Sequence, residues 1–248
     1  MIYFIGAGPG AADLITVRGM KLLEKASLVV YAGSLVNPAL LDYCPAGCET
    51  LNSASMTLEQ VIAAMSAHPR EETVVRLHTG DPSIYGAIRE QMDALDRLGL
   101  PYDVVPGVSS MNAAAAALRA EYTLPGVSQT VIASRMAGRT PVPEGEDIRS
   151  LAAHGASMVL FLSAGMLEKL CAELMAGGYA PSTPAAVVYK ATWPDEEIVR
   201  GTLETLPDLA AHIGRTALVL VGGFLQGPYE RSKLYDPTFS HMFREAEK

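Results

Sequence analysis

Met1-Ile2-Tyr3-Phe4-Ile5-Gly6-Ala7-Gly8-Pro9-Gly10, continuing into Ala11-Ala12-Asp13-Leu14-Ile15-Thr16, is a short apolar strand that runs directly into a glycine-rich loop. Gly6, Gly8 and Ala11 meet the G-x-G-x-x-A spacing of a dinucleotide-binding turn, in which bare backbone approaches a pyrophosphate at a helix start. Two features argue against that ligand. Pro9 has no backbone N–H, so a donor is missing where phosphate oxygens would be cradled. The next apolar run, Leu28-Val29-Val30-Tyr31, ends in Ala32-Gly33-Ser34, with no Asp or Glu for ribose hydroxyls. The stretch predicts an α/β fold whose first loop takes a ligand other than NAD.

Outward from this strand, β-rich apolar runs alternate with helical periods, as in mainly parallel α/β construction. Strands are predicted over 1–5, 27–31, 73–77 and 102–105, with helices over 16–25, 58–67 and 84–98. Ile84, Ile88, Met92, Leu95 and Leu98 form one apolar stripe, and Gly99 ends it. Ala113 to Ala117 follow Asn112 as a helix of small residues, and 122–126 reads as a linker. Domains are therefore expected over 1–119 and 120–248. In the second, strands are predicted over 129–133, 157–162, 185–189, 197–202 and 217–221, with helices over 166–175 and 206–213. The turn Trp193-Pro194-Asp195 makes a hairpin of 185–189 and 197–202, so this sheet is mixed. From Gln226 onward the chain reads as a loosely held polar tail.

Composition narrows the function. The 248 residues, 49% of them hydrophobic, suffice for a substantial core, and 19 Lys+Arg against 27 Asp+Glu leave a net charge of -8. This charge argues against nucleic acid as a partner, because phosphate binding relies on clustered cations. The longest apolar runs fall short of the roughly 20 residues of a membrane span, so no membrane is expected. The chain opens on a strand with no basic leader, which predicts a cytoplasmic location. Cys44, Cys48 and Cys171 form an odd set without a second Cys/His pair, and five His are scattered, so no metal site is expected.

Candidate ligand loops lie at strand ends. His78-Thr79-Gly80-Asp81-Pro82-Ser83-Ile84-Tyr85-Gly86 follows the 73–77 strand, with Asp81 and Pro82 suited to cap and open the 84–98 helix. Pro106-Gly107-Val108-Ser109-Ser110-Met111-Asn112 repeats the arrangement, with either serine suited to cap the Ala-rich helix. On parallel strands, these loops and 6–10 gather at one edge.

The residues resemble the tetrapyrrole methyltransferase family. The likeness rests on the G-x-G-P-G loop, the G-D-P loop and the P-G-V-S-S turn, and on Val30-Tyr31-Ala32-Gly33-Ser34-Leu35-Val36, Gly80 to Ile88, Ser134 to Pro143 and Ala191-Thr192-Trp193-Pro194-Asp195-Glu196. It spans Met1 to about Phe224. It implies two α/β domains with a cofactor and substrate trough between them, S-adenosylmethionine as methyl donor and S-adenosylhomocysteine as product. The acceptor it implies is C11 of a precorrin-4-type tetrapyrrole, with another ring carbon, or non-catalytic tetrapyrrole binding, as alternatives.

By position, the resemblance implies cofactor contacts at Pro9, Thr79, Gly80, Asp81, Ile84, Ser109 and Ser110, and at Leu162, Ala186, Thr216 and Ala217. The polycarboxylate substrate needs local cations in an acidic chain, which points to Arg135 and Arg139, whose guanidinium forks hold carboxylates, and to Lys190. Trp193, the lone tryptophan, is either a cover for the macrocycle or a packing anchor. No general base is nominated. A homodimer is expected from the resemblance.

Overall fold

The structure is a computed structural model, and it describes residues 1–246. Among these, two five-stranded sheets form, each in its own compact unit. The first unit comprises Met1–Ala113 with Lys190–Glu196; the second comprises Ala114–Tyr189 with the described residues from Glu197 onward.

In the first unit, β1 (Ile2–Gly6), β2 (Ala26–Tyr31), β3 (Glu49–Asn52), β4 (Thr73–His78) and β5 (Tyr102–Val105) run parallel in the order β3-β2-β4-β1-β5. The inner strands β1 and β2 read as nearly continuous apolar runs because both their faces are covered. Successive side chains alternate between faces. Ile5, Val29, Val75 and Leu77 enter one cluster, which Leu23 of α1 (Val17–Leu23) completes. Phe4, Leu28, Val30 and Val74 enter the other, with Val61, Ile62 and Met65 of α2 (Leu58–Ser66) and Leu95 of α3 (Ile88–Arg97). Each fully buried side chain of this size contributes about 1.5–3 kcal/mol.

Local signals fix the helix starts. Thr16 Oγ accepts the Gly19 N–H at 3.1 Å, and Thr57 with Gln60 closes a capping box. The last helix to begin here, α4 (Ser110–Leu118), crosses the division between the units at Ala113.

The second unit holds β6 (Val131–Arg135), β7 (Ser157–Phe161), β8 (Pro184–Tyr189), β9 (Glu197–Thr202) and β10 (Ala217–Val221) in the order β6-β7-β10-β8-β9. Only β6 and β7 pair in parallel, and β8 with β9 forms the expected antiparallel hairpin. Helices α5 (Ile148–Ala152), α6 (Leu167–Ala176) and α7 (Leu206–Leu209) supply Ile148, Leu170, Leu174 and Leu206 to a core around Met158, Leu160, Val187 and Val219.

Several boundaries differ from the sequence expectation. The units divide within α4 rather than after residue 119, and 190–196 returns to the first unit. β3 was not anticipated, because Glu49-Thr50-Leu51-Asn52 is a mostly exposed edge strand without apolar alternation. The 84–98 helix begins only at Ile88: Tyr85 and Ala87 take left-handed φ values of 56° and 49°, and a Cβ on Gly86 would lie 2.1 Å from the Pro82 carbonyl oxygen. The tail is tied down in part. Arg244 donates to the carbonyls of Leu234 at 3.0 Å and Asp236 at 2.5 Å.

The tightest packing in the first unit is backbone on backbone. A Cβ on Gly107 would stand 2.2 Å from the Gly80 carbonyl oxygen and 2.7 Å from Gly6 Cα. Gly107→Ala is therefore expected to lower the unfolding free energy by about 1–3 kcal/mol, read from denaturant titration. Gly214→Ala, where nothing among the described residues lies within 4 Å, is the control and stays within about 0.5 kcal/mol.

Candidate active site

Because β1, β2, β4 and β5 are parallel, their carboxyl ends bring four loops to one edge of the first sheet, the edge where open α/β sheets take ligands. The loops are bonded to one another. The Ala7 N–H donates to the His78 carbonyl at 2.7 Å. Gly8 and Gly80 exchange both backbone bonds, at 3.2 and 2.8 Å, each with the positive φ that glycine tolerates. Thr79 Oγ donates to the Leu35 carbonyl, 2.8 Å away in the loop after β2.

Asp81 links two of these loops. Since α3 starts at Ile88, it does not cap that helix, which corrects the expectation from sequence. One carboxylate oxygen accepts the Ser83 N–H at 2.8 Å and also the Ser83 hydroxyl. The other accepts the Gly107 N–H at 2.8 Å. Partial burial pushes the Asp81 carboxyl upward, but these hydrogen bonds outweigh it and hold the group below its ordinary value. Pro82 and Ile84 lie in the turn that follows. Ser109 is buried and caps α4: its hydroxyl accepts the Met111 N–H at 3.4 Å and its carbonyl the Asn112 N–H at 3.0 Å. Ser110 is half-buried beside it.

Behind this edge, Arg76 and His78 of β4 point to the same face. Arg76 donates to Gln91 Oε1 at 3.0 Å and to the Val30 carbonyl at 3.2 Å. Burial, and then the Arg76 charge, lowers His78 to about 3, so its imidazole is neutral near pH 7. His78 is 4% exposed, and its Nε2 has no hydrogen-bond partner among the described residues.

The glycine loop is braced by residues the sequence did not single out for it. Trp193 Nε1 donates to the Pro9 carbonyl at 3.0 Å, Thr192 Oγ accepts the Ala11 N–H at 2.9 Å, and Asn37 Nδ2 donates to the Gly10 carbonyl at 2.8 Å. The lone tryptophan is thus an anchor on backbone. No local pattern announces these contacts, which join positions up to 184 residues apart.

In the second unit, the ends of β6 and β7 and the start of β10 share one edge. Leu160 pairs with Val219, so Leu162 stands level with Ala217, which itself pairs with Tyr189. Leu162 and Thr216 both take left-handed φ, 54° and 55°, and Leu162 is 70% exposed. Ala186 is not brought to this edge. It lies mid-strand between Leu220 and Arg200 and is fully buried.

The predicted substrate cations differ in how far they are engaged. Arg135 Nη1 donates to the Met136 and Thr140 carbonyls at 3.1 and 3.3 Å, and Nη2 to the Pro141 carbonyl at 2.7 Å. Its fork braces the 136–141 loop, where the Met136 N–H also donates to the buried Ser163 hydroxyl at 2.9 Å. Arg139 is exposed on that loop. In the first unit, Lys190 Nζ meets Asp195 at 2.6 Å and lies 5.4 Å from the centre of the Trp193 ring. Among the described residues, no group of three or more His, Cys, Asp or Glu is placed to hold a metal, and no helix is long and apolar enough to cross a membrane.

A family model described as tetrapyrrole (corrin/porphyrin) methylases matches residues 1–207. The cobalt-precorrin-4 C(11)-methyltransferase of Methanocaldococcus jannaschii is 50% identical over 251 residues, covering 100% of this chain and 97% of that protein. The X-ray structure of a cobalt precorrin-4 methyltransferase, a cobalamin biosynthetic enzyme, superposes with a TM-score of 0.88 at 49% identity, over 91% of this chain and 96% of that one. A uroporphyrin-III C-methyltransferase from Thermus thermophilus, complexed with S-adenyl homocysteine, gives a TM-score of 0.77 at 28% identity, over 90% and 98% of the two chains.

If Arg135 braces the 136–141 loop, Arg135→Ala will speed amide exchange at 137–140, measured by hydrogen-exchange mass spectrometry. Arg139→Ala will leave those rates unchanged.

Proposed function

The chain belongs to the tetrapyrrole (corrin/porphyrin) methylase family, and from that premise we propose that it moves a methyl group from S-adenosylmethionine to C11 of a precorrin-4-type macrocycle in cobalamin biosynthesis. It works in the cytoplasm as a homodimer. One observation carries the reading: the G-x-G-P-G, G-D-P and P-G-V-S-S stretches are interlocked at one sheet edge, in a chain half identical over its full length to a cobalt-precorrin-4 C(11)-methyltransferase.

The donor set suits this cofactor. The edge offers peptide groups and hydroxyls, and Pro9 withholds the N–H that a pyrophosphate would need. Thr79, Gly80, Asp81 and Ile84, with Ser109, Ser110 and Pro9, are the proposed cofactor residues of the first unit. Asp81 serves through its backbone, since both carboxylate oxygens are engaged. For the second unit the proposal takes Leu162, Thr216 and Ala217, and it assigns buried Ala186 no direct contact.

When bound, S-adenosylmethionine supplies an electrophilic sulfonium methyl, so the residues need chiefly to orient two reactants and exclude water. Asp81 is not the base: its oxygens already accept two N–H groups and a hydroxyl. His78 is not one either, since it is buried and its burial makes the imidazole a weak base. Arg139 holds a substrate carboxylate on the loop that Arg135 braces, and Lys190 is committed to Asp195.

Calorimetry is expected to show S-adenosylhomocysteine binding to the purified protein, and NMR of the product made with ¹³C-methyl donor to place the label on C11. Metal-free and cobalt-bearing precorrin-4 are assayed side by side; absence of turnover with both overturns the reading. Arg139→Ala raises KM for the macrocycle on the order of tenfold, the worth of a charge-assisted hydrogen bond, with S-adenosylhomocysteine affinity unchanged. Light scattering reports the dimer.

A further inference from the structure

The loop from Gly8 to Ala11 is held residue by residue. Gly8 is bonded twice to Gly80; the Pro9 carbonyl takes the Trp193 indole N–H; the Gly10 carbonyl takes Asn37 Nδ2; the Ala11 N–H goes to Thr192 Oγ. Pro9 makes outside support necessary, since it has no N–H with which to tie the loop from within. The indole also rests on bare backbone: a Cβ on Gly10 would lie 2.1 Å from Trp193 Cδ1.

The segment that supplies Thr192 and Trp193 is itself strained and fastened. Lys190 and Thr192 take φ values of 45° and 72°, a region that non-glycine residues avoid unless their surroundings compel it. What compels it here is local. The Thr192 N–H donates to the Glu196 carboxylate at 2.7 Å, the Trp193 N–H to the Lys190 carbonyl at 3.0 Å, and the Glu196 N–H to the Trp193 carbonyl at 3.1 Å. Lys190 closes the turn through Asp195 and lies beside the indole. A turn this constrained, presenting a hydroxyl and an indole N–H to adjacent peptides of the ligand loop, has its explanation in that loop.

We propose that Thr192 and Trp193 are positioning residues for the S-adenosylmethionine site. They fix the Pro9–Gly10 and Gly10–Ala11 peptide planes before the cofactor arrives. Without them the loop would have to be ordered on binding, which weakens affinity. The inference rests on the function proposed above. It assigns Trp193 to the loop rather than to the face of the macrocycle.

Three variants test it by calorimetry with S-adenosylhomocysteine, thermal melting and steady-state kinetics. Thr192→Val keeps the side-chain shape and removes the acceptor, Thr192→Ser keeps the hydroxyl, and Trp193→Phe keeps an aromatic ring without the N–H. Thr192→Val and Trp193→Phe are expected to bind S-adenosylhomocysteine about five- to tenfold more weakly, the size of one lost hydrogen bond, with KM for S-adenosylmethionine rising in step and kcat within about twofold. Thr192→Ser keeps wild-type affinity. Equal affinity in the valine and serine variants overturns the proposal, as does a fall in kcat with KM unchanged, or weakening that merely follows a lowered melting temperature. If the wild-type protein binds no S-adenosylhomocysteine, the functional reading falls and this one with it; if only the variants behave as wild type, this one alone falls.

Discussion

Three strand-end glycines meeting backbone to backbone are the constraint on which the first unit depends. Gly6, Gly80 and Gly107 approach so closely that a methyl group on Gly6 would sit 2.5 Å from Gly107 Cα and 2.6 Å from the Gly80 oxygen. This approach lets β1, β4 and β5 end level, lets Gly8 and Gly80 bond mutually, and brings the Gly107 N–H within reach of Asp81. An acid in such a place invites a catalytic reading. Here it is a structural tie, stabilised as the anion by the donors around it.

The electrostatics follow a similar economy. A chain of net charge -8 that takes a polycarboxylate must present cations locally. Two of the three candidates are occupied within the protein: Arg135 on the carbonyls of its own loop, Lys190 on Asp195. Arg139 stays exposed on the loop whose carbonyls Arg135 holds.

Much of the fold was legible because its signals are local. The strands at 102–105, 197–202 and 217–221 coincide with those observed, since apolar runs bounded by turn residues leave little choice. That the Gly-x-Gly-Pro-Gly loop and its neighbours share one sheet edge was legible for a related reason: parallel strands force the loops together. What was not legible depended on distant partners or on unseen backbone angles. Ile84 keeps step with the stripe of α3, yet left-handed Tyr85 and Ala87 exclude it from the helix. β3 has no apolar pattern, because it is an edge strand. Arg135 looks like any arginine after a strand until its carbonyl partners are seen, and Trp193 offered two roles that only a contact across the chain separates.

That contact also orders events in time. The Pro9 carbonyl and the Ala11 N–H take their partners from residues 184 and 181 positions downstream. Domains ordinarily fold as they emerge; the first sheet draws its strands from residues 2–105 and can pair before Thr192 and Trp193 are there to brace the glycine loop. The bracing of the glycine loop thus spans a far longer stretch of chain than the sheet that carries it, and contacts of such separation carry the larger loop-closure cost.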